Sequence, residues 1–411
     1  MLFTNPAASR RPYGPALQRV MNLATARESR QWLAGWRQLR SGGTPLYALP
    51  HLARQLGLGQ LHLKDESARS PLASFKVLGA PVALLRLVLR QWPGAGWAPV
   101  DLLAGRHADV LASFTAISAT DGNHGRALAA AAQSMGCRCV IVLHAHVSAE
   151  REQPIRALGA EVVRITGNYD DSVQEAERLA RAHGWWVVSD TSYEGYEDIP
   201  RDVMQGYGIL VDELLEQAPE RGDGACPFTH VLLQGGVGGL AAGVVAPLWE
   251  RYGEQRPTFI AVEPDQADCL LQSAIAGRAS RATGGVDSVM AGLACGETSP
   301  LAWRFLQPAV DLFMTVSDAQ AEEAMRTLAA GAAGDVPVLS GESGAAGLAG
   351  LAALMADPAL AAQAGLGPDA RVLLISTEGA TAPGVYEAIT GRSPASVLQA
   401  QAEWQARPLH A

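Results

Sequence analysis

At 411 residues with 48% hydrophobic content, the chain can bury a large core and is longer than one compact domain usually spans. Its net charge of -9 comes without a basic cluster, which argues against nucleic acid as a partner. The opening "MLFTNPAASRRPYG" lacks the apolar core of a secretory signal, and no run of about 18 purely apolar residues appears, so the expectation is a soluble cytoplasmic protein with no membrane partner.

"LHLKDESARSPLASFKVLGA", residues 61–80, reads as a strand running into an apolar helix, with Lys76 in its first turns and Ser74 as N-cap. The stretch 90–109, rich in Gly, Pro and Trp, reads as a surface insertion. From about residue 125 helix and strand alternate: "HGRALAAAAQSMG" helix, "CRCVIVL" strand, "SAEREQPIRALG" helix, "AEVVRIT" strand, "YDDSVQEAERLARAHG" helix, "WWVVSD" strand. Gly136, Gly159 and Gly184 stand where the three helices should end. A second series follows: "THVLLQGG" strand, "LAAGVVAPLWERYG" helix, "PTFIAVEP" strand, helices through 266–332, and a late strand at 371–379. The C-terminal "SPASVLQAQAEWQARPLHA" reads as a peripheral helix with a loose end.

Two alternating series predict two α/β lobes, each a mostly parallel twisted sheet flanked by helices, with a cleft between them. Ligands in such sheets gather at the carboxyl ends of strands, where "SDT", "QGGVGG", "VEP" and "STEG" fall.

Several residues there carry chemistry. Lys76 is either a snorkelling surface lysine or an amine held in a cleft, where burial lowers its pKa and suits it to Schiff-base formation. The loop Gly235-Gly236-Val237-Gly238-Gly239 lies between an apolar strand and an apolar helix, so its N–H groups can cradle a phosphate. The same residues contain a dinucleotide look-alike, Gly236-x-Gly238-x-x-Ala241 with Glu263 ending the next strand. "ATDGNHG", residues 119–125, sets Asp121 beside a turn able to meet an anion; such an acid either faces water or handles a proton or a cation. "HAH" at 144–146 has no nearby acid or third histidine, so no metal is expected. The five cysteines, at 137, 139, 226, 269 and 295, match no zinc spacing and are expected as free thiols, with 137 and 139 on one face of a strand.

In combination these stretches are recognisable. Thr44-Pro45-Leu46, "KDES…SFK…GA", "GNHG", the glycine loop and "ISTEG" resemble the fold type II, tryptophan-synthase-β-like, enzymes of pyridoxal 5'-phosphate, over about residues 40–390. "SFKVLGA", "ATDGNHGRA", "SDTSYEGYEDIPRDVMQGY", "MAGLACGE", "SGESGAAGL" and "ISTEG" resemble, in one consistent order, the diaminopropionate ammonia-lyases.

The resemblance implies a large cofactor-binding domain of residues 1–80 and 196–411, a small substrate-side domain of 81–195, and a homodimer. It also implies α,β-elimination of 2,3-diaminopropionate to pyruvate and two ammonia. Lys76 is then the Schiff base and the α-proton base for the L-isomer, Asp121 a second base serving the D-isomer, and Asp190 the acid that orients the β-ammonium or protonates the leaving group. Gly235 to Gly239 bind the phosphate, Asn123 contacts the ring hydroxyl, and Ser376, or else Thr377, meets the pyridine nitrogen. Cys269 and Cys295 stand where those enzymes also carry cysteines, so a disulfide is the alternative to free thiols. The chain departs from the pattern after the turn, reading "STEGATAPG" where a further acid is expected. His124 reads as structural, and Glu194, Tyr196, Asp198, Glu342 and Glu378 are left without roles. The alternative with the same cofactor is a threonine or serine dehydratase, or a β-replacing synthase; a nicotinamide dehydrogenase and a non-catalytic amino-acid sensor are the readings from other classes.

Overall fold

Eleven strands sort into two sheets in the computed structural model, which describes every residue except 121, 146, 168, 219–221, 223 and 408–411, and the side chains of 170 and 333. In chain order they are β1 (Leu2–Thr4), β2 (Leu46–Ala48), β3 (Gln60–Asp65), β4 (Thr115–Ala119), β5 (Arg138–Leu143), β6 (Glu161–Arg164), β7 (Trp186–Val187), β8 (His230–Gln234), β9 (Thr258–Pro264), β10 (Leu312–Val316) and β11 (Arg371–Ser376). The larger sheet has seven strands in the order β1-β10-β9-β8-β11-β3-β2, and the smaller has four in the order β6-β5-β4-β7. Its two edge pairings, β1 with β10 and β2 with β3, are antiparallel, and every inner pairing in both sheets is parallel.

The apolar runs explain this arrangement. β8 is buried along its whole length, as are all but the first residue of β5, β9 and β11, which is the pattern of parallel strands covered on both faces. Helices Asn123–Met135, Ala149–Ala157 and Tyr169–His183 alternate with the strands of the smaller sheet. The chain turns out of them through Gly136, Gly159 and Gly184, with φ of 80°, 81° and 69°, a left-handed conformation that residues with a Cβ resist.

Two expectations need correction. The segment 266–332 is not helical throughout: Leu312–Val316 forms β10, and the N-terminal Leu2–Thr4 pairs with it, Leu2 against Met314. The stretch 90–109 is not merely a surface insertion. It holds the helix Pro99–Leu103, whose Leu102 and Leu103 are buried in the main core. Of the cysteine pair, Cys139 is buried in β5, whereas Cys137 lies ahead of the strand and is half-buried. The helix Pro394–Gln405 forms at the C-terminus; the end beyond residue 407 lies outside the described residues. Among the described residues no single helix is long and apolar enough to cross a membrane.

Two long helices join the sheets. Helix Lys76–Gln91 packs on helix Asp198–Gln217, and also on helix Asn123–Met135 beside the smaller sheet. The crossing is close because glycines meet there: a Cβ on Gly79 would stand 2.7 Å from Val203 Cγ1, and one on Gly206 would stand 2.9 Å from Gly79 Cα. A buried ionic cluster fixes the other end of helix Asp198–Gln217. Arg69 donates to Glu66 and Glu213, and the Lys64 ammonium donates to Glu213 at 3.0 Å and to the Thr44 carbonyl at 2.9 Å. Lys64, Glu66, Arg69 and Glu213 are all buried, so each charge depends on the others for its solvation.

Candidate active site

One cavity opens at the carboxyl ends of β8, β11 and β4, between the two sheets, and is lined by residues from both. Lys76 is the first residue of its helix; the N-cap is Phe75, not Ser74 as expected, and the Ser74 hydroxyl accepts the Lys76 backbone N–H at 3.3 Å from one residue further out. Three residues earlier Ala73 holds φ of 51°, a conformation costly for a residue with a Cβ, in the turn that presents the lysine. The Lys76 ammonium lies 5.3 Å from the centre of the Phe75 ring and 5.9 Å from that of Tyr207, and it donates to the Asp190 carboxylate.

Asp190 follows β7 and also faces His124, whose Nδ1 is 3.7 Å away. Burial alone would raise the Asp190 carboxyl, but Lys76 and then His124 outweigh it and hold the group below the ordinary carboxylate range. The other imidazole nitrogen, Nε2, lies 2.8 Å from the Val188 carbonyl; a carbonyl only accepts, so Nε2 carries a hydrogen. His124 therefore has partners that sequence reasoning did not supply, and it ties the Asn123 turn to the Asp190 turn.

Opposite Lys76, Gly236, Val237, Gly238 and Gly239 line the cavity. Gly238, with φ of 99°, stands at the N-cap of helix Gly239–Tyr252, and no side chain caps that helix. The amides of Gly236, Val237 and Gly238 find no acceptor among the described residues, so they and the helix terminus face the cavity as open donors. Gly235 differs: its N–H donates to the Val262 carbonyl at 2.8 Å, in the strand ladder, and it does not line the cavity. The donor set fits a phosphate, and the amine across the cavity fits an aldehyde. Glu263 cannot serve a ribose, because its buried carboxyl accepts the N–H groups of Leu270 and Leu271, each at 2.8 Å. That contact removes the dinucleotide reading.

Asn123 begins its helix and donates through its side-chain amide to Glu378, 255 residues away and just past β11. The other Glu378 oxygen accepts the Ser343 N–H at 3.1 Å. Neighbouring Glu342 is buried, and neither of its carboxyl oxygens has a hydrogen-bonding side-chain partner among the described residues. Burial first and the Glu378 charge second push its carboxyl up to about 7. Ser376 ends β11 with its hydroxyl 2.8 Å from that of Ser340, while Thr377 lines the cavity.

The remaining expectations fall out as follows. Asp121 and His146 lie outside the described residues. Among the described residues no group of His, Cys, Asp and Glu is placed to hold a metal ion. Cys269 and Cys295 are not joined in a disulfide; Cys269 lies 3.4 Å from the Gly236 carbonyl, and Cys295 lines the cavity. Arg151, Tyr169 and Tyr207 line it too, and nothing in their spacing announced this.

The fold and this cavity define a two-lobed enzyme that grips an aldehyde-bearing phosphate cofactor between a lysine and a glycine loop. The chain belongs to the family described as pyridoxal-phosphate dependent enzyme, which its residues 38–378 match, and its cofactor is pyridoxal phosphate. It is 41% identical over 361 residues to the diaminopropionate ammonia-lyase of Escherichia coli (strain K12), covering 87% of this chain and 88% of that one. The holo crystal structure of the Escherichia coli diaminopropionate ammonia lyase superposes with a TM-score of 0.84 at 37% identity, covering 95% of this chain and 96% of that one. The same lyase in complex with an aminoacrylate-PLP azomethine reaction intermediate superposes with a TM-score of 0.82 at 38% identity, with the same coverage.

Proposed function

We infer that the chain is a pyridoxal phosphate-dependent carbon-nitrogen lyase that eliminates ammonia from 2,3-diaminopropionate, ending in pyruvate and two ammonia. The observation that carries the reading is the Lys76–Asp190 pair facing an uncapped glycine loop across one cavity, in a chain similar along most of its length to lyases of that name. Bound there, the cofactor supplies the electron sink that acidifies the substrate's α-proton and lets the β-amine depart.

The chain's own residues divide the remaining work. Lys76 would hold the aldehyde, and its Nζ would be the base that takes the α-proton of the L-isomer. Asp121 is assigned the α-proton of the D-isomer. With the Lys76 amine engaged, the Asp190 carboxylate would orient the substrate's second ammonium, which leaves as ammonia with its own three hydrogens, or would hand back to the leaving amine a proton first taken from that ammonium; His124 keeps it in place. Asn123, held by Glu378, would meet the ring hydroxyl. The loop Gly235–Gly239 takes the phosphate, with residues 236–239 at the cavity. The pyridine nitrogen is assigned to Ser376, with Ser340 behind it, or to Thr377 at the wall.

Residues 1–80 and 196–411 make up the cofactor-side domain and 81–195 the substrate-side domain, a division supported by the smaller sheet lying wholly within 115–187. The reading includes a cytoplasmic homodimer, on the family resemblance. Purified protein should show the near-visible absorbance of lysine-bound cofactor, lost in Lys76→Ala. It should release pyruvate from L- and D-diaminopropionate faster than from serine or threonine. Absence of that absorbance, or a preference for threonine, would overturn the assignment.

A further inference from the structure

Arg151 is a cation in search of an anion. It lies on helix Ala149–Ala157, lines the cavity, and has a side chain only 17% exposed. Its stem lies against the turn before Asn123: a Cβ on Gly122 would stand 3.6 Å from Arg151 Cδ and 3.7 Å from its Cβ. Its guanidinium makes no hydrogen bond to the described residues. Among the described residues the nearest acid is Glu342, from the opposite lobe, at 3.7 Å, which is beyond hydrogen-bond reach. Glu342 is 1% exposed and, like Arg151, lacks a hydrogen-bonding side-chain partner. A guanidinium withdrawn this far from water keeps five N–H donors to satisfy, and a buried charge without a close partner is costly.

The other charged groups at the cavity, among the described residues, are committed. Lys76 and Asp190 pair with each other, and Glu378 holds Asn123 and Ser343. The phosphate cradle comes from the seven-stranded side, away from the helix that carries Arg151. The one anion every amino-acid substrate brings is its α-carboxylate, whose planar pair of oxygens matches the guanidinium fork.

We propose that Arg151 binds the α-carboxylate of the amino-acid substrate, and that Glu342 is a positioning residue that holds the guanidinium toward the cavity from the opposite lobe. The proposal rests on the amino-acid lyase reading. Substrate binding then completes a contact that the two buried charges leave open.

The test uses the holoenzyme, reading the absorbance of the bound cofactor as two non-reacting ligands are titrated: L-alanine, which carries the carboxylate, and ethylenediamine, which is diaminopropionate without it. Arg151→Gln should weaken L-alanine about tenfold to a hundredfold and leave ethylenediamine within about threefold. Arg151→Lys, which keeps the charge and the fold but not the fork, should fall between. Glu342→Gln should shift L-alanine in the same direction by less, and raise KM for diaminopropionate more than it lowers kcat. Equal weakening of both ligands, or of neither, overturns the proposal while leaving the lyase reading standing. A wild-type holoenzyme whose absorbance answers neither ligand overturns the lyase reading, and the proposal with it.

Discussion

Replacing Gly206 by alanine probes how tightly the site depends on the crossing beneath it. The new methyl would overlap the Leu78 carbonyl oxygen and stand 2.8 Å from that carbonyl carbon and 2.9 Å from Gly79 Cα. Carbon atoms in contact need about 3.5 Å or more, and the neighbours here are backbone, so no side chain can swing away. The helices must separate by about 1 Å. Overpacking of this kind costs about 1–3 kcal/mol, and the rigid neighbours put it at the upper end. Alanine returns about 1 kcal/mol through its better helix propensity, leaving a net loss of about 2 kcal/mol. Leu78 and Gly79 follow Lys76 by less than one turn, so the same displacement moves the amine. A 1 Å misplacement can cost about a hundredfold in rate. Urea unfolding of the holoenzyme and pyruvate release from diaminopropionate measure the two effects, with Gly367→Ala, which meets nothing within 4 Å, as the control. A Gly206→Ala enzyme as stable and as fast as wild type would refute the view that this crossing sets the lysine.

Glu342→Gln should change how stability depends on pH. The native carboxyl titrates at about 7 because of its burial, then the Glu378 charge, with Arg151 opposing and Glu150 adding to the shift; the unfolded group titrates near 4.5. The native chain thus binds the extra proton between those values, and wild type loses that stabilisation as pH rises through the window. The distance corresponds to about 3 kcal/mol as an order of magnitude, so unfolding of the variant should match wild type near pH 5 and exceed it by up to that amount at pH 8; parallel pH profiles would contradict the assignment. Arg69→Leu strands the buried Glu66 and Glu213 carboxylates and should cost about 3–5 kcal/mol in urea unfolding; a loss below about 1 kcal/mol would mean that Lys64 alone suffices. His124→Phe removes the ring that faces Asp190 and the donor to Val188, and should lower kcat for diaminopropionate while cofactor absorbance persists; unchanged kcat would leave His124 a packing residue.

Much of the fold was legible because most of the parallel strands, such as β5, β8, β9 and β11, are short apolar runs and the three helices alternating with the strands of the smaller sheet run out into Gly136, Gly159 and Gly184. Both signals are local. β10 was missed because "LFMTV" is five residues between helices, and β1 because its partner lies at the other end of the chain, where no periodicity links Leu2 to Met314. Lys76 and the glycine loop stood out through residue type and position at strand ends. Arg151 did not: in "SAEREQPIR" it is one charge among Glu150, Glu152 and Arg156, and only the packing of its helix on the Gly122 turn brings it to the cavity. Glu378 likewise waits on the fold to bring it to Asn123.

The two passages of the chain between the sheets give the cleft an axis. Lys76 starts the helix that leaves the larger sheet's side, and Asp190 stands where the chain returns toward helix Asp198–Gln217. The Lys76–Asp190 pair therefore clasps both passages at once, and Asn123 with Glu378 clasps the lobes a second time across the same cavity. The cleft is fastened at two points, and both fastenings are groups of the site itself.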